Sequence, residues 1–279
     1  MTDKYAVVGY PIAHSKSPLI HRLFAEQTGQ DLSYEAILID SEERSFASAI
    51  IELQQQGYQG VNVTLPYKLD AFEYATIKTA RAQSAHAVNT LVFQEAGETV
   101  GDNTDGLGLV KDIEQNGQRP FQNQRVLILG AGGAVQGILQ PLLERHPASI
   151  HIANRTAQRA HVLGQRFNTA IPITASGWED IPTESGYDII INGTSASLEN
   201  KLPPISPKVL KADSLAYDMM YGAQPTIFME WAKQHQSQSQ VMDGLGMLVG
   251  QAAEAFSLWR GVQPETAPVI AQVRQIMAG

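Results

Sequence analysis

The chain predicts two α/β domains, the second of them doubly wound, and three observations carry this. A glycine-rich turn, Gly130-Ala131-Gly132-Gly133-Ala134, follows directly on the apolar run Arg125-Val126-Leu127-Ile128-Leu129, so a strand passes through a tight turn into a helix. Short apolar runs alternate with helical patterns along the whole chain, the mark of mostly parallel sheets covered on both faces. At 279 residues the chain exceeds an ordinary single domain, and the glycine turn comes late enough to leave room for a separate core ahead of it. The expected partition is residues 1–104 with 243–279 in one domain and 105–242 in the other.

In the first domain, Tyr5 to Gly9 reads as an apolar strand, followed by a loop from Tyr10 to Ser17 and a helix from Pro18 to Thr28. Ser17 before Pro18 is a start signal, because serine caps and proline suits the first helical position. Strands follow at Ser33 to Ile39, Gly60 to Thr64 and Asn89 to Phe93, with helical patterns at Glu42 to Gln56 and, broken, at Leu69 to Ala87. A hairpin turn at Ala96-Gly97 brings in one more strand, which ends at Asp102-Asn103-Thr104-Asp105 before a helix to Asn116.

The second domain continues with strands at Arg125 to Leu129, Ser149 to Ala153, Asp188 to Asn192 and Ser214 to Asp218. In a doubly wound sheet, ligands collect beyond the carboxyl ends of the strands, and there the chain carries Asn192-Gly193-Thr194-Ser195 and Met219-Met220-Tyr221. Gln234 to Gln240 reads as a surface loop. Helices at Leu245 to Trp259 and Glu265 to Met277 close the chain.

Composition narrows the function. With 43% hydrophobic and 17% charged residues the chain can bury a core, which excludes disordered and fibrous classes. A net charge of −8 argues against a nucleic-acid surface. The absence of cysteine removes disulfides, a thiolate nucleophile and cysteine-based zinc sites, and no metal site is expected. The segment Met1-Thr2-Asp3-Lys4-Tyr5 lacks the pattern of a signal peptide and no run reaches the length of a membrane span, so the expectation is a cytoplasmic protein without a membrane partner.

The glycine turn reads as a dinucleotide site, since the helix behind it offers unpaired N–H groups and a partial positive charge to a pyrophosphate. After the next strand an NAD site would carry a carboxylate for the ribose 2′-hydroxyl. Here Asn154-Arg155-Thr156 stands in that place, which suits the 2′-phosphate of NADP. Arg159 lies four residues beyond Arg155, and on one helical face the two guanidinium groups would converge on one phosphate. A nicotinamide cofactor supplies hydride, so the protein must supply a proton from Lys, His, Tyr or Asp.

Five blocks now bear on the question: Tyr10-Pro11-Ile12-Ala13-His14-Ser15-Lys16-Ser17-Pro18, Asn62-Val63-Thr64-Leu65-Pro66-Tyr67-Lys68, Ala87-Val88-Asn89-Thr90, Gly101-Asp102-Asn103-Thr104-Asp105-Gly106 and Asp243-Gly244-Leu245-Gly246-Met247-Leu248-Val249-Gly250-Gln251. Together they resemble the signature blocks of the shikimate dehydrogenase family, in order and over the whole chain. The resemblance implies reversible NADPH-dependent reduction of 3-dehydroshikimate to shikimate at a site in the cleft between the domains. It implies Lys68 and Asp105 as the catalytic pair. Ser15, Ser17 and Tyr221 would hold the substrate carboxylate, and Thr64, Asn89, Asp105 and Gln251 its hydroxyls. Gly130, Ala131, Gly132, Gly133, Ala134, Asn154, Arg155, Thr156 and Arg159 would bind NADP, with Thr194, Met219 and Gly244 near the nicotinamide. A homodimer stays open.

The residue chemistry agrees. An ammonium both stabilises charge developing on a ketone oxygen and donates the proton, and short neutral donors and acceptors suit a small polyhydroxylated ring. Each residue has a plain structural competitor: Lys68 as a solvent lysine, Asp105 and Ser17 as helix caps, Gln251 as an ordinary helix position, Arg155 and Arg159 as surface ion pairs. His14 is read as structural or exposed. Val135 and Gln136 depart from the family pattern, which has a small residue followed by arginine. The expectation is a helix riding slightly further out and one cation fewer near the phosphates. Rival readings are a quinate/shikimate dehydrogenase that also accepts NAD, and a non-catalytic sensor on the same fold, which would not need the Lys68 and Asp105 pair.

Overall fold

The computed structural model describes residues 2–94 and 97–279, with the backbone alone at Leu198. Ala96 of the expected hairpin turn lies outside the described residues. The chain forms two compact units, Met1–Gly108 with Leu248–Val273, and Leu109–Met247 with Arg274–Gly279. The boundaries fall inside helices, whereas the sequence reading set them at 104/105 and 242/243 and kept the C-terminal helix whole.

The first unit contains β1 (Asp3–Gly9), α1 (Ser17–Thr28), β2 (Leu32–Leu38), α2 (Phe46–Gln55), β3 (Tyr58–Val63), α3 (Lys68–Tyr74), β4 (Ile77–Lys78), α4 (Ala80–Ala85), β5 (Thr90–Phe93) and β6 (Thr99–Asp102). Its sheet has the order β2-β1-β3-β5-β6-β4. β5 runs antiparallel to both of its neighbours and the remaining pairs are parallel. Tyr5 through Gly9 of β1 are buried without alternation, as a central strand covered on both faces requires, whereas edge strand β2 alternates over its first half. The interruption expected within Leu69 to Ala87 is β4, two residues long and too short for any period to show in the sequence.

The second unit contains β7 (Arg125–Leu129), α6 (Gly133–Leu143), β8 (Ser149–Ala153), α7 (Ala157–Gln165), β9 (Ile173–Ser176), β10 (Tyr187–Asn192), β11 (Leu210–Asp218), α8 (Ile227–His235) and β12 (Gln240–Asp243). All six strands are parallel, in the order β12-β11-β10-β7-β8-β9. Successive residues of β7 enter opposite cores: Val126 and Ile128 pack with Ile138 and Ile150, while Leu127 and Leu129 pack with Ile190 and Phe228. That is the two-sided burial behind its unbroken apolar run. The sequence reading missed β9 and β12, both at sheet edges where burial imposes little pattern. β12 begins at Gln240, and Gln234 lies in α8, so the expected surface loop is shorter than read. The unit boundaries lie within α5 (Asp105–Lys111), α9 (Leu245–Arg260) and α10 (Thr266–Ala278). α5 runs on into a π-helical turn over Asp112–Asn116.

Candidate active site

In the second unit, β7 and β10 are neighbours at the point where the strand order reverses, and the glycine turn leaves β7 there. Gly130 has φ +108°, open to glycine and strained for other residues, and its N–H donates to the Ala153 carbonyl at 2.7 Å. Nothing lies within 4 Å of where a Cβ would stand on Gly132 or Gly133. Gly132 caps α6 without a side-chain hydrogen bond, which leaves the first N–H groups of the helix to a ligand. An open glycine turn followed by an uncapped helix start is what a pyrophosphate requires, so the residues present fit a dinucleotide.

Val135 is fully buried, and a Cβ on Gly193 would stand 2.5 Å from its Cγ2. The room that a smaller residue at 135 would have left is supplied by Gly193 across the sheet. Thr194, which follows Gly193, is held by its own N–H and hydroxyl on Asn192 Oδ1, at 3.1 and 2.7 Å. Asp218, at the end of β11, accepts from Ser197 Oγ, Met220 N–H and Asn192 Nδ2 at 2.6, 3.1 and 3.2 Å, tying the loops after β10 and β11 together. Sequence reasoning missed this residue, whose only signal was a carboxylate ending an apolar strand. A Cβ on Gly244 would run into the Met219 carbonyl, so these two residues touch.

Asn154 Nδ2 donates to the Thr156 carbonyl at 2.9 Å, and α7 begins only after Thr156. Arg155 therefore sits in the turn rather than on the helix and, contrary to the expectation from spacing, shares no helical face with Arg159. Both arginines are exposed, and neither meets a carboxylate among the described residues. Arg159 lines a cavity with Ala131 and Gly132, and Arg155 does not.

In the first unit, Lys68 opens α3 and Asp105 opens α5, and the Lys68 ammonium donates to Asp105 Oδ2 at 2.5 Å. Asn89, just before β5, organises the pair. Its Nδ2 donates to Asp105 Oδ1 at 2.8 Å and to Thr104 Oγ1 at 3.0 Å, and lies 3.4 Å from Gln251 Oε1. Its Oδ1 accepts from Thr104 N–H and the Thr90 hydroxyl at 2.9 and 3.0 Å. The Asp105 segment is fixed from behind by buried Asp102, which pairs with Arg81 and accepts from the Thr79 hydroxyl and the Asn103 N–H. Asp105 thus begins a helix and also holds the lysine.

Ser17 is the first helical residue of α1 and Lys16 occupies the cap, so the expected serine cap is displaced by one residue. Ser15 Oγ accepts the Ser17 N–H at 3.3 Å, a capping-type bond at this end. Ser17 is buried while Ser15 and Thr64 are half-buried. Tyr221 lies in the second unit, on the loop after β11. Its side chain is partly exposed, and desolvation, followed by the Asp243 carboxylate, raises its phenol above the ordinary value. His14 is exposed.

A doubly wound parallel sheet with an open glycine turn, and a unit that sets an ammonium on a carboxylate among neutral hydrogen-bonding groups, define a nicotinamide-dependent oxidoreductase of a small polar substrate. Family models agree in detail: the shikimate dehydrogenase substrate binding domain matches residues 7–91, the shikimate / quinate 5-dehydrogenase model residues 112–200, and the shikimate 5′-dehydrogenase C-terminal domain residues 244–274. The chain belongs to the shikimate dehydrogenase family. A relative named shikimate dehydrogenase (NADP(+)) from Hydrogenovibrio crunogenus is 68% identical over 99% of each chain. The crystal structure of an Ael1 enzyme from Pseudomonas putida shares 45% identity over 97% of each chain, with a TM-score of 0.91. Shikimate 5-dehydrogenase from Thermus thermophilus, in complex with NADP(H) and shikimate, is 31% identical over 98% of this chain and 99% of its own, with a TM-score of 0.84.

Proposed function

We propose that this chain catalyses the reversible NADPH-dependent reduction of 3-dehydroshikimate to shikimate. The observation that carries the reading is the Lys68 ammonium 2.5 Å from Asp105, with Asn89 holding the other carboxylate oxygen at 2.8 Å. When bound, NADPH supplies the hydride. Gly130 to Ala134 and the start of α6 would hold its pyrophosphate, Asn154, Arg155, Thr156 and Arg159 its phosphorylated ribose, and Thr194, Met219 and Gly244 its nicotinamide end.

In the reductive direction Lys68 Nζ stabilises the charge that develops on the ketone oxygen and donates the proton to it. Asp105 Oδ2 orients the ammonium, and Asn89 prevents the carboxylate from rotating away. In the oxidative direction the same nitrogen receives the hydroxyl proton. Ser15, Ser17 and Tyr221 supply donors for the substrate carboxylate, and Thr64, Asn89 and Gln251 pair with its hydroxyls. A cytoplasmic site of action is part of the proposal, supported by a cysteine-free composition suited to a reducing compartment.

The test is the absorbance of NADPH when purified protein meets shikimate with NADP or with NAD. NADPH should accumulate with shikimate and NADP and slowly, if at all, in Lys68→Ala. No reduction of NADP by the wild type would overturn the reading.

A further inference from the structure

The cavity beside the glycine turn, about 370 Å³, falls within the usual range for small-molecule sites. Ala131 and Gly132 line it from the turn, Gln136 from α6, and Arg159, Val162 and Arg166 from α7 and its C-terminal end. Arg159 and Arg166 are seven residues apart, two helical turns, and so share a face. Side chains on a helix lean toward its N-terminus, which directs Arg166 back along α7 toward Arg159. Its Nη1 donates to Gln136 Oε1 at 3.2 Å, so the guanidinium is tethered at the cavity rather than free in solvent. Neither arginine meets a carboxylate among the described residues, although acidic residues outnumber basic ones, 28 to 20. No acidic side chain lines the cavity either. Two uncompensated guanidinium groups on one wall, one held there by a neutral amide, make a site for a phosphate.

We propose that Arg166, positioned by Gln136, is a specificity-determining residue that binds the 2′-phosphate of NADP together with Arg159. The sequence reading found one cation fewer near the phosphates because Gln136 carries no charge; the charge at this place comes from α7 instead, with Gln136 as its tether.

The inference rests on the NADP-dependent reading above, and the two fail separately. The experiment measures binding of NADPH, NADH and 2′,5′-ADP to wild type, Arg166→Gln, Arg166→Lys and Gln136→Leu by titration calorimetry, beside the turnover assay. Arg166→Gln should weaken NADPH and 2′,5′-ADP about 10-fold and NADH less than twofold. Arg166→Lys, which keeps the charge but loses the fork, should fall between wild type and Arg166→Gln. Gln136→Leu should show a smaller loss of the same selectivity, because the guanidinium remains but is no longer aimed. Arg166 is exposed, so the melting temperature should not move. Equal losses for NADPH and NADH would assign Arg166 to the pyrophosphate, and unchanged binding would make it a surface residue; either result overturns the proposal. Wild type that binds 2′,5′-ADP and loses that binding in Arg166→Gln, yet turns over no shikimate, would overturn the catalytic reading and leave this one standing.

Discussion

His21 should make the first unit acid-sensitive. It lies on α1, fully buried, stacked on Tyr34 at 4.0 Å between ring centroids, with Trp259, Phe24 and Phe256 at 5.5, 6.0 and 6.1 Å. Neither ring nitrogen makes a well-formed hydrogen bond among the described residues, and burial, opposed by a smaller effect of the nearby Asn62 side chain, pushes the imidazole down to about 3 from 6.5. Below pH 6.5 the unfolded chain takes up a proton that the folded chain refuses. The stability of the neutral buried ring is therefore complete above pH 6.5 and is lost as the pH falls toward 3. One pH unit of difference corresponds to ~1.36 kcal/mol, so the loss is about 2 kcal/mol between pH 7 and pH 5 and approaches ~5 kcal/mol near pH 3. His21→Phe keeps a ring in the stack and removes the titration. The larger ring shifts stability by an amount independent of pH, so the slope is the observable. Urea unfolding at pH 7, 6 and 5, followed by fluorescence with Trp259 as the nearby reporter, should show wild type losing about 2 kcal/mol more than the variant over this range. His151, lowered to about 4 by burial and then by His161, contributes equally to both proteins and cancels. Parallel slopes, or a His21 imidazole resonance that titrates near 6.5 in the folded protein, would refute the reasoning.

Lys68→Ala should lower kcat by about 10²–10⁴-fold with a much smaller change in shikimate binding, as loss of a positioned proton donor does; near-normal turnover would remove Lys68 from the mechanism. Ser15→Ala and Ser17→Ala should chiefly raise KM for shikimate, each losing about 1.5–3 kcal/mol of hydrogen bonding to a carboxylate, and normal shikimate affinity by calorimetry in both would leave the serines as helix-start residues. Arg159→Ala and Arg155→Ala should each reduce kcat/KM for NADP by roughly 10- to 150-fold while changing the value for NAD little. An unchanged cofactor ratio in both would mean that the 2′-phosphate is read elsewhere.

Sequence alone determined whatever rests on neighbours along the chain. The unbroken apolar run before Gly130, the glycine turn and the start of α6 occupy a single stretch, and the backbone freedom of Gly130 is a property of the residue itself. Buried parallel strands such as β7 and β10 declare themselves because both faces must be apolar, whereas β4, β9 and β12, short or at sheet edges, have no such requirement and left no period to read. Lys68 and Asp105 stood out only through the blocks around them. That Asn89 and Thr104 join them is decided by the pairing of β3, β5 and β6, which brings the ends of those strands together. Local spacing also misled where a helix began two residues later than supposed: Arg155 falls in the turn and shares no face with Arg159. The approach of Gln136 to Arg166, and of Val135 to Gly193, depends on which helices and loops the sheet order makes neighbours. Such contacts are tertiary because their free energy comes from groups that chain connectivity keeps far apart until the sheet has formed.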